Sequence, residues 1–454
     1  MAKSIAILVM VIGRKKVIIG LGKTGYSCAR YFASQDIPFQ VVDQAKSPLL
    51  LTTFQQEMPA VTVKTGGLDQ KMLLQADEMV VSPGVPLATP EIQNAVAAGI
   101  KVTGDIDIFS HVVAKPLLAI TGSNGKSTVT SLVGQMAMDN GLNAAVGGNL
   151  GLPALDLVSL DHDMYVLEIS SFQLETTEAL GAQVAAVLNL SPDHLDRYPS
   201  ERHYYAAKNR IFHGCEQAVI NRDQPLQLDI PEDATRWSFG SGAATSEREF
   251  GLMKRGEQTY LSWGSKPLLP GRELKIAGVH NYLNALAGLA IGLAAGFPLD
   301  GMLDTLTNFS GLEHRCEWVA RIGGVDFIND SKATNVGAAV AAIKGLGETC
   351  NGRIVLIAGG DAKGADFAPL REPTKTHVRS VILMGQDADA IDDVLKDVVQ
   401  VHRAATLGEA LDLAVKQSNN DDMVLLSPAC ASLDMFDSFE QRGDLFKSLI
   451  AEYT

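Results

Sequence analysis

The chain has 454 residues, with 38 Lys and Arg against 52 Asp and Glu, a formal net charge of −14. Hydrophobic residues make up 46% and charged residues 20%, an ordinary globular composition, and roughly 100–200 residues per domain gives two to four domains. The acidic balance argues against a nucleic-acid-coating or polybasic membrane-surface protein, although a basic pocket on an acidic body still binds an anion.

The first apolar run, Ile5 to Ile12, is too short to span a bilayer and lacks a small-residue cleavage signature, so neither a membrane anchor nor a signal peptide is expected. A buried strand is predicted from Lys16 to Gly20, then a glycine turn and a helix through Phe32. Phe39–Asp43 and Met79–Ser82 follow as strands, and this β-turn-α-β order implies parallel strands joined by crossover helices. A second segment begins near Asp105, with strands at Pro116–Thr121, Met164–Leu167 and Ala185–Leu190. It also carries a helix from Lys126 to Asn140 closed by Gly141, and an apolar helix from Asn281 to Ala295. The stretch from Arg222 to Lys275 is polar, with short alternating runs, and reads as a small antiparallel excursion. The third segment starts near Gly311, with strands at Val325–Ile328, Ile354–Ala358, Val381–Met384 and Met423–Leu426. The expectation is α/β, in three domains at 1–104, 105–310 and 311–454. The five cysteines are scattered with no C-x-x-C, which points to a reduced, cytoplasmic chain without disulfides or structural zinc.

Two turns are built for phosphate. Gly20-Leu21-Gly22-Lys23-Thr24-Gly25 is a G-x-G-x-x-G between a strand and a helix, and Asp43 ends the next strand about 20 residues on, where a carboxylate reaches a ribose hydroxyl. The alternative is a tight turn without a ligand. The second turn, Thr121-Gly122-Ser123-Asn124-Gly125-Lys126-Ser127-Thr128, has backbone N–H groups to cradle phosphates, Lys126 as a point charge and Ser127 as a hydroxyl for Mg²⁺. It is a variant P-loop, because Ile120 stands where the usual spacing has glycine. Two such turns imply two ligands, one of them ATP.

Polar residues collect at the strand ends. Glu168 ends a strand beside the P-loop, and Asp193 and His194 follow Pro192 in a loop above the sheet, where carboxylate and imidazole suit a metal. Lys208 reads from physics alone as an exposed helical lysine. Asn281 and Asn284 share a helix face and could bond an adenine, with helix capping by Asn281 as the competing reading. Arg315, Lys332 and Lys363 are cations in strand-end clusters, suited to phosphates and carboxylates.

The motifs T-G-S-N-G-K-S-T, L-E-I-S-S-F-Q-L-E, S-P-D-H-L-D-R-Y, H-N-Y-L-N-A, L-E-H-R, N-D-S-K-A-T-N, G-G-D-A-K-G-A-D-F and S-P-A-C-A-S-L-D-M-F-D-S-F-E-Q-R-G, in this order along nearly the whole chain, resemble the Mur ligases. The last of them and G-L-G-K-T-G favour the members that add D-glutamate over the other Mur ligases and folylpolyglutamate synthetase. The resemblance implies a Rossmann-like domain for the UDP of UDP-N-acetylmuramoyl-L-alanine, a central P-loop ATPase-like domain and a Rossmann-like C-terminal lid. It implies substrate contacts at Gly22, Lys23, Thr24, Gly25, Asp43, Ser82, Gly84, Asn149 and Ser170. ATP would be held by residues 122–128 (Gly122, Ser123, Asn124, Gly125, Lys126, Ser127, Thr128), Asn281, Asn284, Arg315 and Asp330. D-Glutamate would be held by Thr334, Lys363, Ser432 and Phe439. Ser127, Glu168, His194 and a carbamylated Lys208 would hold two Mg²⁺ ions, with Lys126, His194, Lys208 and Lys332 catalytic. The implied protein is a cytoplasmic monomer with small-molecule substrates, no nucleic acid and no membrane. A nucleotide-binding protein built on the first glycine turn, taking NAD(P), is the rival from another class. Local substitutions in the last motif, such as Met435 and Asp437, bear on the fine detail of the glutamate pocket.

Overall fold

The structure is a computed structural model that describes residues 15–454 except 159–160, 195–196, 225–227, 257, 277–278, 349 and 454, and does not describe the side chains of 279 and 280. The expectations for Ile5–Ile12 lie outside the described residues.

The first sheet contains β1 (Lys16–Ile19), β2 (Phe39–Asp43), β3 (Val63–Thr65), β4 (Glu78–Val81) and β5 (Lys101–Thr103), all parallel, in the order β3-β2-β1-β4-β5. β1 and β4 are buried at every position, as expected of strands covered by helices on both faces. The order reverses at β1, so the loops after β1 and β4 open a crevice at the carboxyl edge.

The second sheet contains β6 (Leu117–Thr121), β7 (Ala144–Gly148), β8 (Met164–Glu168), β9 (Val184–Val187), β10 (Gln217–Asn221), β11 (Thr235–Phe239), β12 (Glu249–Arg255), β13 (Gln258–Trp263) and β14 (Lys266–Pro270). Their order is β14-β13-β12-β11-β10-β9-β6-β8-β7. The antiparallel excursion expected after Arg222 is present from Glu249 to Pro270, but it continues the main sheet through parallel strands. β11 runs parallel to β10 and β12 parallel to β11, and only β12-β13-β14 form a meander. The polar alternation reports an exposed face, not strand direction.

The third sheet contains β15 (Glu317–Ile322), β16 (Val325–Asn329), β17 (Ile354–Ala358), β18 (Val378–Leu383), β19 (Gln400–Arg403) and β20 (Met423–Leu426), in the order β15-β16-β20-β17-β18-β19. Only the edge strand β15 is antiparallel, and it is one of the strands that lack a long apolar run. The apolar helix Val279–Ala294 packs against the P-loop helix Lys126–Asp139, joining Leu132 and Met136 to Leu286, Leu289 and Ile291 in one core. Among the described residues no helix is long and apolar enough to cross a membrane.

Candidate active site

The P-loop forms because β6 stays buried through Ile120 and Thr121 before the chain turns. Ile120 therefore belongs to the strand, and the turn begins at Gly122. Gly122 and Gly125 carry φ of +157° and +80°. A Cβ on Gly125 would lie 2.5 Å from Asn284 Oδ1, so glycine is required both by backbone and by space. Gly125 caps the helix Lys126–Asp139, leaving the N–H groups of its first turn free to meet an anion.

The loop is clamped from the next strand end. Asn189 Oδ1 accepts from the Asn124 N–H at 2.8 Å, its Nδ2 donates to Asn124 O at 2.9 Å, and its carbonyl accepts from the Ser123 N–H at 2.8 Å. Asn189 was not singled out in the sequence; its place directly after an apolar strand was the available signal. Ser123 Oγ lies 3.0 Å from the Tyr204 hydroxyl. Lys126 Nζ donates to the Gly122 and Ser123 carbonyls at 2.9 and 3.0 Å, and burial pulls its pKa below the usual lysine range.

Glu168 is buried, 2% exposed, and is not a solvated strand-end carboxylate. Asn149 Nδ2 donates to its Oε1 at 2.7 Å and Ser127 Oγ to its Oε2 at 2.5 Å. Arg315 Nη2, from the third domain, donates to Ser127 Oγ at 2.7 Å. Serine hydroxyl, carboxylate and guanidinium from two domains thus meet at one point. A hydroxyl beside a carboxylate is a hard-oxygen pair that fits Mg²⁺. Among the described residues no group of three or more His, Cys, Asp or Glu stands close enough to hold a metal. Phosphate and water oxygens would have to complete the shell, which is how Mg²⁺ is ordinarily bound.

Lys208 corrects the sequence reading. It is 2% exposed, and its Nζ donates to Gly122 O at 2.9 Å and Thr121 Oγ1 at 3.3 Å, over the Tyr204 ring at 5.0 Å. Its helix, Glu201–Asn209, lies under the P-loop, and Tyr204 one turn before with Ile211 and Phe212 one turn after put Lys208 on the covered face, which was the available signal. Burial, and secondarily Lys126, hold its pKa well below the usual lysine value. His194 has φ +54° and packs edge-on against Phe172 and Tyr204, with centroids 4.8 and 6.2 Å away.

A cleft of about 500 Å³ opens between the second and third domains. Asn124, Gly125, Thr128, Asn281, Asn284, Arg315, Asp330 and Lys332 line it. Asn284 Nδ2 donates to Asn281 Oδ1 at 3.0 Å, and the helix begins at Val279, so Asn281 is inside the first turn and not its cap. Burial raises Asp330 to about 6 although Ser427 Oγ donates to it at 2.8 Å. Burial, with Arg315 next, lowers Lys332 to about 8, and its Nζ sits 3.6 Å from the Phe439 ring centroid.

Arg442, 1% exposed, joins the remaining pieces. It donates to Ser331 O at 2.8 Å, Ser331 Oγ at 2.9 Å and Cys430 O at 3.3 Å, so the loops carrying Lys332 and Ser432 are tied together. Thr334 N donates to Lys332 O at 2.8 Å, and Ser432 is buried. Lys363 is exposed with φ +50°, on a loop bridged to Ala431 through Asp361. It does not line the cleft with Arg315 and Lys332.

In the first domain Gly25 lies so close to Gly20 that a Cβ would be 1.9 Å from its carbonyl oxygen, and Ser82 Oγ donates to the same carbonyl at 2.9 Å. Asp43 accepts from the Leu21 N–H at 2.6 Å and the Ala45 N–H at 2.7 Å, so its carboxylate holds the turn itself. Gly22, Lys23 and Gly84 are exposed at this edge and Thr24 is half-buried. Ser170 caps the helix Ser171–Glu175 in a capping box with Gln173.

Residues 14–104 match the Mur ligase MurD-like N-terminal domain, 120–292 the Mur ligase middle domain and 314–430 the Mur ligase glutamate ligase domain. A UDP-N-acetylmuramoylalanine–D-glutamate ligase of Pseudomonas fluorescens is 51% identical over 95% of this chain and 96% of that protein. The enzyme of the same name from Pseudomonas aeruginosa is 51% identical over 96% of this chain and 98% of that protein. Among solved structures, the UDP-N-acetylmuramate-alanine ligase of Thermotoga maritima aligns with a TM-score of 0.61 at 19% identity, covering 97% of this chain and all 100% of that one. The chain belongs to the Mur ligase family.

Proposed function

We propose that this protein is an ATP-dependent amide ligase that adds D-glutamate to UDP-N-acetylmuramoyl-L-alanine through an acyl phosphate, in peptidoglycan precursor synthesis. The observation that carries the reading is the convergence of Ser127, Glu168 and Arg315 beside the P-loop, at the mouth of the cleft between two domains. The identity of about half to named D-glutamate ligases supports the choice of amino acid. The domains are 1–104 for UDP, 105–310 for ATP and 311–454 for the amino acid and closure, in a cytoplasmic monomer.

The substrate carboxylate attacks the γ-phosphate of ATP; the bond from phosphorus to the β-γ bridging oxygen breaks, ADP leaves and an acyl phosphate remains. Two anions approach each other, so the barrier is largely electrostatic. Arg315 and Lys332 supply positive charge in the cleft, and Lys126 supplies it from the adjoining P-loop. Mg²⁺, held by Ser127, Glu168, His194 and carbamylated Lys208 at two sites, would neutralise the rest and polarise the phosphate. The low pKa of buried Lys208 keeps a neutral amine available to bond the carbon of CO₂, releasing one proton and leaving a carbamate. Asn149 orients Glu168, and Asn281 and Asn284 face the nucleobase end of the cleft. Gly22, Lys23, Thr24, Gly25, Ser82 and Gly84 receive the UDP. D-Glutamate, placed by Thr334, Lys363, Ser432 and Phe439, then attacks the acyl carbon with its neutral amine; phosphate leaves and an amide remains. The third domain excludes water, which would otherwise hydrolyse the acyl phosphate.

The test is phosphate release with UDP-N-acetylmuramoyl-L-alanine and a panel of amino acids. D-Glutamate alone should sustain turnover. Turnover with another amino acid, or NAD(P) binding without ATP consumption, overturns the reading.

A further inference from the structure

The proposed substrate is long. Its UDP end belongs to the first domain, its reacting carboxylate to the P-loop of the second, and the distance between the two sites is set by protein alone. One side chain, absent from every role assigned above, spans that boundary. Arg197 Nη1 donates to Pro83 O at 2.8 Å and its Nη2 to Val85 O at 3.2 Å, both in the loop after β4 that carries Ser82 and Gly84. The same Nη2 donates to Glu175 Oε2 at 3.1 Å. The guanidinium carbon sits 4.3 Å from the Phe172 ring centroid, and Phe172 is the ring on which His194 rests. Its side chain is 12% exposed.

Beside this contact the boundary is open. A cleft of about 260 Å³ lies between Leu87, Ile92 and Val96 of the first domain and Glu175, Thr176 and Arg210 of the second. Another polar tie, Ser27 and Arg30 to Asp156, lies away from the loop after β4. We propose that Arg197 is a positioning residue that fixes the span between the UDP site and the reacting carboxylate. This rests on the functional reading above.

The physical reason is chelation. A ligand held at both ends gains affinity over either end alone only if the two sites stand at its own length. A misplacement of an ångström also costs rate, because the attacking oxygen must be near the phosphorus. Guanidinium suits the task because its rigid fork meets two carbonyls and a carboxylate while its face stacks on an aromatic ring. Methionine would keep the stem's packing and lose every donor; lysine keeps the charge and at most part of the fork.

The experiment measures binding of UDP and of UDP-N-acetylmuramoyl-L-alanine to the full chain by calorimetry, in wild type, Arg197→Met and Arg197→Lys, with kcat alongside. Arg197→Met should bind UDP within twofold of wild type, lose at least ~10-fold of the extra affinity the whole substrate has over UDP, and show a fall in kcat while KM for ATP stays. Arg197→Lys should recover part of both. An unchanged ratio of the two affinities overturns the proposal, as does a loss of UDP affinity equal to the loss for the whole substrate, which would make Arg197 a UDP contact. Amide formation by the wild type in the same preparation tests the functional reading separately, since the affinity ratio needs no turnover.

Discussion

Lys126 opens the helix Lys126–Asp139 and Lys208 lies on the helix Glu201–Asn209, yet both side chains reach the same loop. Both donate to Gly122 O, at 2.9 Å in each case. Lys126 also stands at the start of a helix, and in the proposed reaction its charge acts on the transferred group. Lys126→Ala should cut ATP-dependent phosphate release by at least ~100-fold, as loss of a donor to developing charge does elsewhere. Retained turnover would remove the P-loop assignment. Lys208 is buried, burial depresses its pKa, and its proposed role is attack on CO₂. Lys208→Ala should lose activity that added short carboxylates partly restore, and full activity without rescue would end the carbamate idea. Lys126 could be assigned from its place in a motif, because the helix N-terminus and glycines are local. Nothing within a turn of Lys208 indicates that Thr121 and Gly122 lie above it.

The elements that build the site are turns whose shape is forced by neighbours. Gly125 is held at φ +80° with Asn284 where a Cβ would go. Gly125→Ala should strain the backbone by about 1–2 kcal/mol and displace the Asn284 side chain of the helix Val279–Ala294 from the loop. ATP affinity should fall at least ~10-fold, while the thermal midpoint without nucleotide falls by about 2–8 °C, since roughly 2–4 °C accompanies each kcal/mol in a domain of this size. A calorimetric titration and a melt on the same sample check both; unchanged ATP affinity would mean that the loop accommodates a side chain. Strand and helix positions were largely legible because buried parallel strands read as continuous apolar runs, as in β9, β17 and β20. Short edge strands such as β3, β5 and β19 have no such run, and β15 alternates on an exposed edge.

At the scale of the molecule, the join between the first and second domains contains a buried acid. Asp105 opens the helix Asp105–Val112, is 2% exposed, accepts from Gln173 Nε2 at 2.9 Å and leaves Oδ1 without a partner. Burial raises its pKa to about 6 from 3.8. The folded state therefore favours the protonated acid. That stabilisation is complete below the unfolded value and is lost as pH rises through about 6, amounting to about 3 kcal/mol for two pKa units. Asp105→Asn cannot ionise, so its stability relative to wild type should rise by about that amount between pH 4 and pH 7. Denaturant titrations across that range measure it, and a constant difference would show that Asp105 is ionised throughout.

The sequence by itself determined the class of fold, both phosphate turns and the ligase family, because a P-loop, a glycine turn and an apolar strand are each made within a few residues by local steric and hydrogen-bonding rules. The tertiary structure alone decided that Lys208 reaches Gly122, that Asp43 knits its own turn, that Lys363 stands outside the cleft lined by Arg315 and Lys332, and that Asn189, Arg197 and Arg442 join separate strand ends. Each of these depends on which residues far apart in the chain are brought within hydrogen-bonding reach, and burial and pKa follow from those neighbours.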